Sequence, residues 1–186
     1  KRDWSSDVCS SDLQCGLILP LGRWVRERAC EQAAAWHQQG RPLRVAVNVS
    51  PLEFTQPDFV PHVHGLLTRL ELPAHLLELE VTEGVLVQDL TGTAAKLREL
   101  RRLGVRISVD DFGVQHASLS ALMALPADAL KLDRSFLSGH AGLGGSCAAA
   151  PHVLRAVHTL GRELNLDVLA EGVETPEQHA LLSGLG

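Results

Sequence analysis

Residues 76–111 read LLELEVTEGVLVQDLTGTAAKLRELRRLGVRISVDD, and this stretch contains two short apolar runs separated by a helical pattern. The runs at residues 76–81 and 105–109 are rich in leucine, valine and isoleucine, as buried strands are. Between them, apolar residues recur at helical spacing over residues 93–103, and Gly104 ends the pattern. The stretch therefore predicts a strand, a helix and a second strand.

The same alternation extends along the rest of the chain. Further strands are predicted at residues 43–49, 129–132 and 167–170, and further helices at residues 21–36, 60–70, 118–125 and 153–164. A crossover helix between successive strands makes the strands parallel, and parallel sheets are buried on both faces. The predicted fold class is α/β, either a barrel or a doubly wound sheet. In both architectures the functional residues lie at the carboxyl ends of the strands.

Composition restricts the possible functions. The chain has 186 residues, 45% of them hydrophobic, and a formal net charge of −5. This is enough apolar material for one globular domain, and the negative charge argues against binding to DNA or RNA polymers, which requires a basic face. No apolar run approaches the roughly 20 residues that cross a bilayer, so we expect no membrane contact from this segment, although a parent protein could be membrane-anchored. The four cysteines form no CxxC pair, which fits a reducing, cytoplasmic setting.

The first residues differ in character from the rest. Residues 1–13, KRDWSSDVCSSDL, are dominated by serine and aspartate and have neither a helical nor a strand period. They resemble the translation of a sequencing adaptor, and we interpret them as a non-native or disordered leader. The alternative is an ordinary polar tail. The domain itself is predicted to occupy residues 14–186.

The residues at the predicted strand ends are mostly acidic. In strand order they are Asn48, then Glu80 and Glu83, then Asp110 and Asp111, then Lys131 and Asp133, and finally Glu171 and Glu174. Carboxylates gathered on one rim repel each other unless cations compensate, and oxygen donors suit Mg²⁺ or Mn²⁺ better than zinc. The set therefore predicts a site for hard divalent cations.

Each of these residues also has a structural interpretation. Asn48 or Asp110 could cap a following turn, Lys131 could pair with Asp133, and Glu83 could be solvated surface. With metal ions and a lone lysine at one rim, the favoured chemistry is phosphodiester hydrolysis, because metal ions activate water and neutralise charge on the leaving oxygen. The lysine could orient or deprotonate that water, or contact the phosphate.

Five motifs carry a family resemblance. They are VNVS at residues 47–50, ELEVTE at 78–83, VDDFG at 109–113, LKLDRSF at 130–136 and AEGVET at 170–175. In order and spacing they resemble the EAL domains, which are bacterial phosphodiesterases of cyclic di-GMP. The resemblance implies a TIM-like (β/α) barrel that cleaves one phosphodiester of cyclic di-GMP with Mg²⁺ or Mn²⁺ and releases linear pGpG.

The resemblance also implies a role for individual residues. Asn48, Glu80 and Asp110 correspond to ligands of one metal ion, and Asp111 corresponds to a ligand of a second. Lys131 matches the residue that contacts or activates the water, while Glu171 and Asp133 match further acidic residues of the centre. Glu83 corresponds to a glutamate that steadies the loop after the third strand. Relatives of this family commonly carry an upstream GGDEF or sensory domain, and they often form homodimers.

Three departures from the family pattern stand out. The EAL tripeptide and the late segment that supplies a glutamine are both absent, so the barrel is expected to be incomplete at its first and last strands. The usual DDFGTGYSSL loop reads DDFGVQHASL, with changes at residues 114–117. Two further functions remain open: a catalytically degenerate module that binds cyclic di-GMP or a partner domain, and an unrelated metal-dependent barrel enzyme.

Overall fold

The computed structural model describes residues 16–82, 85, 90–112, 125–137 and 150–185. The helices are α1 (Ile18–Gln38), α2 (Pro51–Thr55), α3 (Phe59–Arg69), α4 (Leu90–Arg102), α5 (Ala150–Glu163) and α6 (Pro176–Ser183). The strands are β1 (Val45–Val49), β2 (Leu77–Thr82), β3 (Arg106–Phe112), β4 (Ala129–Leu132) and β5 (Asp167–Ala170). Short 3-10 turns occupy Ala74–Leu76 and Arg134–Phe136.

The five strands form one sheet in the order β1-β2-β3-β4-β5. The β3–β4 and β4–β5 pairs are parallel, as alternating helices and strands require. The predicted α/β class, the five strands and four of the five predicted helices are confirmed. The remaining predicted helix, at residues 118–125, falls outside the described residues except for Leu125.

The described residues divide into two compact units. The first lies within Lys1–Glu80 and Arg98–Arg106, and the second within Val81–Leu97 and Ile107–Gly186. In the first unit, α1 packs against β1, α2 and α3. The core there includes Cys30 and Ala33 of α1, Val49 of β1, and Val63 of α3, all at most 2% exposed. Burial raises the pKa of the Cys30 thiol to about 11, so this cysteine behaves as a small apolar core residue.

The second unit is organised by Asp128, immediately before β4. Its Oδ2 accepts a hydrogen bond from the buried N–H of Ile107 at 2.9 Å, and its own N–H donates to the Ile107 carbonyl at 2.8 Å. Its carbonyl accepts from the N–H of Asp167 at 3.0 Å. One residue thereby connects the beginnings of β3, β4 and β5.

Helix α5 covers β5 through a glycine. A Cβ atom on Gly161 would lie 2.2 Å from Cγ2 of Val168, so only glycine allows the helix to approach this closely. Leu154 and Val157 of the same helix are buried. This packing holds β5 in place, together with Glu171, which follows it.

Candidate active site at the strand ends

The Asp110–Asp111 pair forms a β-bulge at the end of β3. Val109 lies opposite Leu130 and Phe112 lies opposite Leu132, so two aspartates of β3 stand opposite the single residue Lys131. Asp111 has a φ of +54°, and its N–H donates to Oδ1 of Asp110 at 3.0 Å. Aspartate tolerates the left-handed region better than most residues do, and such strained residues cluster at functional sites.

Lys131 and Glu171 form an ion pair between neighbouring strand ends. The Lys131 Nζ donates to Oε1 of Glu171 at 2.5 Å, and the lysine side chain is only 13% exposed. The backbone fixes the glutamate as well, since its N–H donates to the carbonyl of Leu132 at 3.0 Å. The sequence interpretation that paired Lys131 with Asp133 did not consider this partner, which lies 40 residues away.

Asp111 lies in a repulsive electrostatic environment. Its pKa is raised, first by burial and then by the negative charges of Asp110, Asp133 and Glu171, while Lys131 opposes the shift. Four of the predicted site residues therefore act electrostatically on Asp111 within the second unit. A cation would relieve this repulsion.

Asp133 has a structural role of its own. Its Oδ1 accepts from the N–H of Ser135 at 2.9 Å and caps the turn at Arg134–Phe136. Hydrogen bonding with Ser135 is the main reason that its pKa is lowered. The carboxylate therefore stays ionised beside Asp111, where its charge contributes to the repulsion described above.

The first unit holds Asn48 and Glu80. Asn48 is the fourth residue of β1 and is exposed, and the chain turns directly after it at Ser50. Glu80 lies within β2 and is 5% exposed. The predicted Glu83 and the changed loop at residues 114–117 lie outside the described residues.

The acidic and amide side chains of the candidate site have oxygen donors, and such donors suit a hard divalent cation. Carboxylate and amide oxygens are the ligands that Mg²⁺ and Mn²⁺ prefer. The pKa of Asp111 is raised first by burial and then by the negative charges of its acidic neighbours. Within the described part of the chain, no three His, Cys, Asp or Glu side chains lie in an arrangement that holds a metal ion. The residues fit such an ion by the chemistry of their oxygen donors.

Gly172, directly after Glu171, is a structurally restricted position beside the candidate site that sequence reasoning missed. Its φ is +69°, and a Cβ atom there would lie 2.6 Å from Cβ of Arg134. Only glycine fits beside Arg134 with this backbone conformation. It lets the chain turn away from β5 while Glu171 keeps its contact with Lys131. The glycine stands in the AEGVET motif, but its contact with Arg134 depends on the fold.

Among the residues that the structure describes, no helix has the length and apolar character needed to cross a membrane.

Comparison with known proteins extends these observations. The EAL domain family profile matches residues 7–186. The chain is 41% identical to the bifunctional diguanylate cyclase/cyclic di-GMP phosphodiesterase MucR of Pseudomonas aeruginosa, covering 92% of this chain and 24% of that protein. It is 40% identical to the cyclic di-GMP phosphodiesterase NbdA of the same organism, covering 90% of this chain and 21% of that protein. The chain thus spans about a quarter or less of the length of these relatives.

Solved structures agree in fold. The MucR phosphodiesterase in complex with cyclic di-GMP superposes with a TM-score of 0.87 at 38% identity, covering 96% of this chain and 71% of that one. The EAL domain of Mycobacterium smegmatis DcpA superposes with a TM-score of 0.83 at 38% identity, covering 92% and 76%. By sequence and by structure, this chain belongs to the EAL domain family.

Proposed function

We propose that this EAL domain hydrolyses cyclic di-GMP to linear pGpG with the help of Mg²⁺ or Mn²⁺. Family membership supports the substrate, since MucR and NbdA are named as cyclic di-GMP phosphodiesterases. The observation that carries the proposal is the Lys131–Glu171 ion pair beside the Asp110–Asp111 bulge. It combines a partly buried cation with several acidic oxygens at neighbouring strand ends.

Lys131 acts on the attacking water in this proposal. Its Nζ donates to Glu171, which orients the ammonium, and an ammonium can also donate to a water or to a phosphate oxygen. We expect Lys131 to act by orienting the water or the phosphate and by its positive charge. Asp133 contributes negative charge to the centre through Asp111.

Asn48, Glu80, Asp110 and Asp111 are the proposed metal ligands. When bound, the metal ions lower the pKa of water and offset negative charge on the phosphate and leaving oxygen. Glu83 is proposed to steady the loop after β3. The bulge serves the ligands by placing two successive carboxylates at one strand end, an arrangement that a regular strand does not allow because its side chains alternate between faces.

The reaction cleaves one of the two phosphodiester linkages of the cyclic dinucleotide. The oxygen of water forms a bond to phosphorus, the bond between phosphorus and a ribose oxygen breaks, and that oxygen leaves with a proton. The product is a linear dinucleotide with a terminal phosphate, and no oxidant, reductant or further reactant is consumed. The chemistry therefore requires a positioned water, charge stabilisation and a route for protons.

The setting of the domain follows from the same family. We propose a cytoplasmic location, a homodimer, and an upstream GGDEF or sensory domain in the full-length protein. Bifunctional MucR supports the upstream domain by analogy. We propose no DNA or RNA polymer as a partner, because the chain carries a net charge of −5.

Substrate profiling of the full-length protein tests this proposal. Cyclic di-GMP, other cyclic dinucleotides and a simple aryl phosphodiester are offered with Mg²⁺ or Mn²⁺, and the products are separated by chromatography. We expect cyclic di-GMP to be cleaved far faster than the others. Equal cleavage of every phosphodiester would instead favour an unrelated metal-dependent hydrolase.

A second candidate is a catalytically degenerate module that binds cyclic di-GMP or a partner domain as a sensor. The supporting observation is the VQHA sequence at residues 114–117, where the family pattern is TGYS. If this candidate is correct, restoring Thr, Gly, Tyr and Ser at these positions switches hydrolysis on. Turnover by the unchanged protein at the rate of the restored variant excludes it.

A further inference from the structure

A buried ion pair in the first unit joins α1 to the turn that follows β1. Arg26 Nη1 donates to Oε1 of Glu53 at 3.0 Å, and the two side chains are only 4% and 5% exposed. The guanidinium also lies 4.7 Å from the centroid of the Phe59 ring. Buried charges are rare unless paired, so these contacts hold both side chains in fixed positions.

The second carboxylate oxygen of Glu53 is used at the start of α2. Its Oε2 accepts from the N–H of Ser50 at 3.2 Å and from the Ser50 hydroxyl at 3.0 Å, while the Glu53 N–H donates to Ser50 Oγ at 3.2 Å. This is a complete capping box, and Pro51 follows at the first turn of the helix. The box sets the direction in which the chain leaves β1.

Gly22 shows how closely α1 approaches this carboxylate. A Cβ atom on Gly22 would lie 2.0 Å from Oε1 of Glu53, so a larger residue would displace the glutamate. The carboxylate is therefore confined by Gly22 and Arg26 on one side and by Ser50 on the other. This confinement exceeds what a surface capping box needs, because most such boxes are exposed to water.

We infer that Arg26 is a positioning residue for Asn48, acting through Glu53 and Ser50. Ser50 is two residues after Asn48, so the turn that Arg26 secures determines where β1 ends and how its last residues are presented. This inference rests on the proposed function, in which Asn48 is a metal ligand. Residues that orient a ligand in this indirect way affect metal affinity strongly.

The test uses the full-length protein and measures Mn²⁺ affinity by the electron paramagnetic resonance signal of free Mn²⁺, together with the melting temperature. The main variant is Arg26→Met, which keeps an apolar stem and removes the charge. The double variant Arg26→Met/Glu53→Gln also removes the orphaned carboxylate but keeps a residue that can complete the capping box. The control is Leu67→Ala, which opens a cavity in buried α3 and destabilises the same unit without touching the box.

We expect Arg26→Met to weaken Mn²⁺ binding by about 10-fold or more. We expect Leu67→Ala, at a matched loss of melting temperature, to leave the affinity unchanged, and the double variant to recover most of it. Equal Mn²⁺ affinity in Arg26→Met and Leu67→Ala would overturn the inference. If Arg26→Met does not fold, Ser50→Ala replaces it, since that change leaves both charges in place, and unchanged Mn²⁺ affinity in Ser50→Ala overturns the inference equally.

Separate results would contradict the proposed hydrolysis and the positioning role of Arg26. A protein that binds Mn²⁺ in an Arg26-dependent manner but leaves cyclic di-GMP intact contradicts the proposed hydrolysis and supports the positioning role. A protein that hydrolyses cyclic di-GMP, with both Mn²⁺ affinity and turnover unaffected by Arg26→Met, supports the hydrolysis and contradicts the positioning role.

Discussion

Lys131 and Glu171 are joined by an ion pair of 2.5 Å between β4 and the segment that follows β5. Strands β4 and β5 are neighbouring and parallel, and the register that places Leu132 opposite Ala170 brings Lys131 and the residue after β5 to the same edge. The lysine is mostly buried, whereas the glutamate is about half exposed. A partly buried lysine whose ammonium is held by a carboxylate is well suited to orient a reactant.

Replacing Lys131 with methionine is expected to lower the rate of cyclic di-GMP hydrolysis by about 100-fold or more, because a positioned proton-transfer or orienting group contributes at least this much. Steady-state turnover of the full-length protein measures the effect. Arg69→Ala removes an exposed cation at the end of α3 and serves as the control. Turnover by Lys131→Met at the rate of the control would show that this lysine has no part in the reaction.

The Asp111→Asn change is expected to raise the melting temperature of the metal-free protein while reducing its stabilisation by Mg²⁺ or Mn²⁺. It removes one of several mutually repelling carboxylates and keeps a residue that tolerates the φ of +54°. The metal-free rise is small, on the order of 1 °C, since water screens exposed charges. Thermal melts with and without metal measure both effects.

Glu71→Gln is the matched control for this prediction. Glu71 is also exposed and acidic and has a φ of 49°, but it lies in the turn after α3, in the first unit. We expect its replacement to leave the metal-induced shift unchanged. An equal metal-induced shift in Asp111→Asn and in the unmodified protein would count against Asp111 as a ligand.

Substituting Gly172 by alanine is expected to destabilise the protein by about 1–3 kcal/mol, because the new Cβ overlaps Arg134 and glycine alone adopts a φ of +69° without strain. Turnover should fall as well, since the strained turn displaces Glu171. Chemical denaturation measures the first effect. Gly65→Ala is the control, because its Cβ meets no atom within 4 Å in α3, and it should stabilise by roughly 0.5–1 kcal/mol.

Asp128→Ala is expected to destabilise the protein by about 1–3 kcal/mol, because it leaves the buried N–H of Ile107 without its 2.9 Å acceptor. Asp128→Asn retains an acceptor oxygen and should lose much less. Denaturant unfolding of the two variants measures the difference. Equal stability of the alanine and asparagine variants would mean that this hydrogen bond does not hold β3 and β4 in register.

The strands and long helices were predictable because their apolar residues recur with a clear period. Two short helices were missed, although both begin with readable caps: Ser50 with Glu53, and Thr175 with Gln178, form capping boxes. Helix α6 has no buried residue among its described positions, so it shows no apolar face to detect. A prediction based on caps as well as on periodicity would have found both helices.

The grouping of the candidate residues at the strand ends was predictable, whereas the contacts between them were not. Strand-end positions identified Asp110, Asp111, Lys131 and Glu171, because parallel strands place these ends at one edge. The bulge was not predictable, since it depends on the register between β3 and β4. The contact between Lys131 and Glu171 was not predictable either, because these residues are 40 positions apart and meet only when β4 and β5 pair.

The most direct test of the central claim measures binding and turnover on one sample of the full-length protein. Cyclic di-GMP is added with Mg²⁺ or Mn²⁺, the bound fraction is determined by calorimetry at early times, and the nucleotides are then separated by chromatography. The account predicts conversion to linear pGpG that requires the metal and is lost in Lys131→Met. Recovery of bound but intact cyclic di-GMP after prolonged incubation with metal would contradict it and identify a sensor.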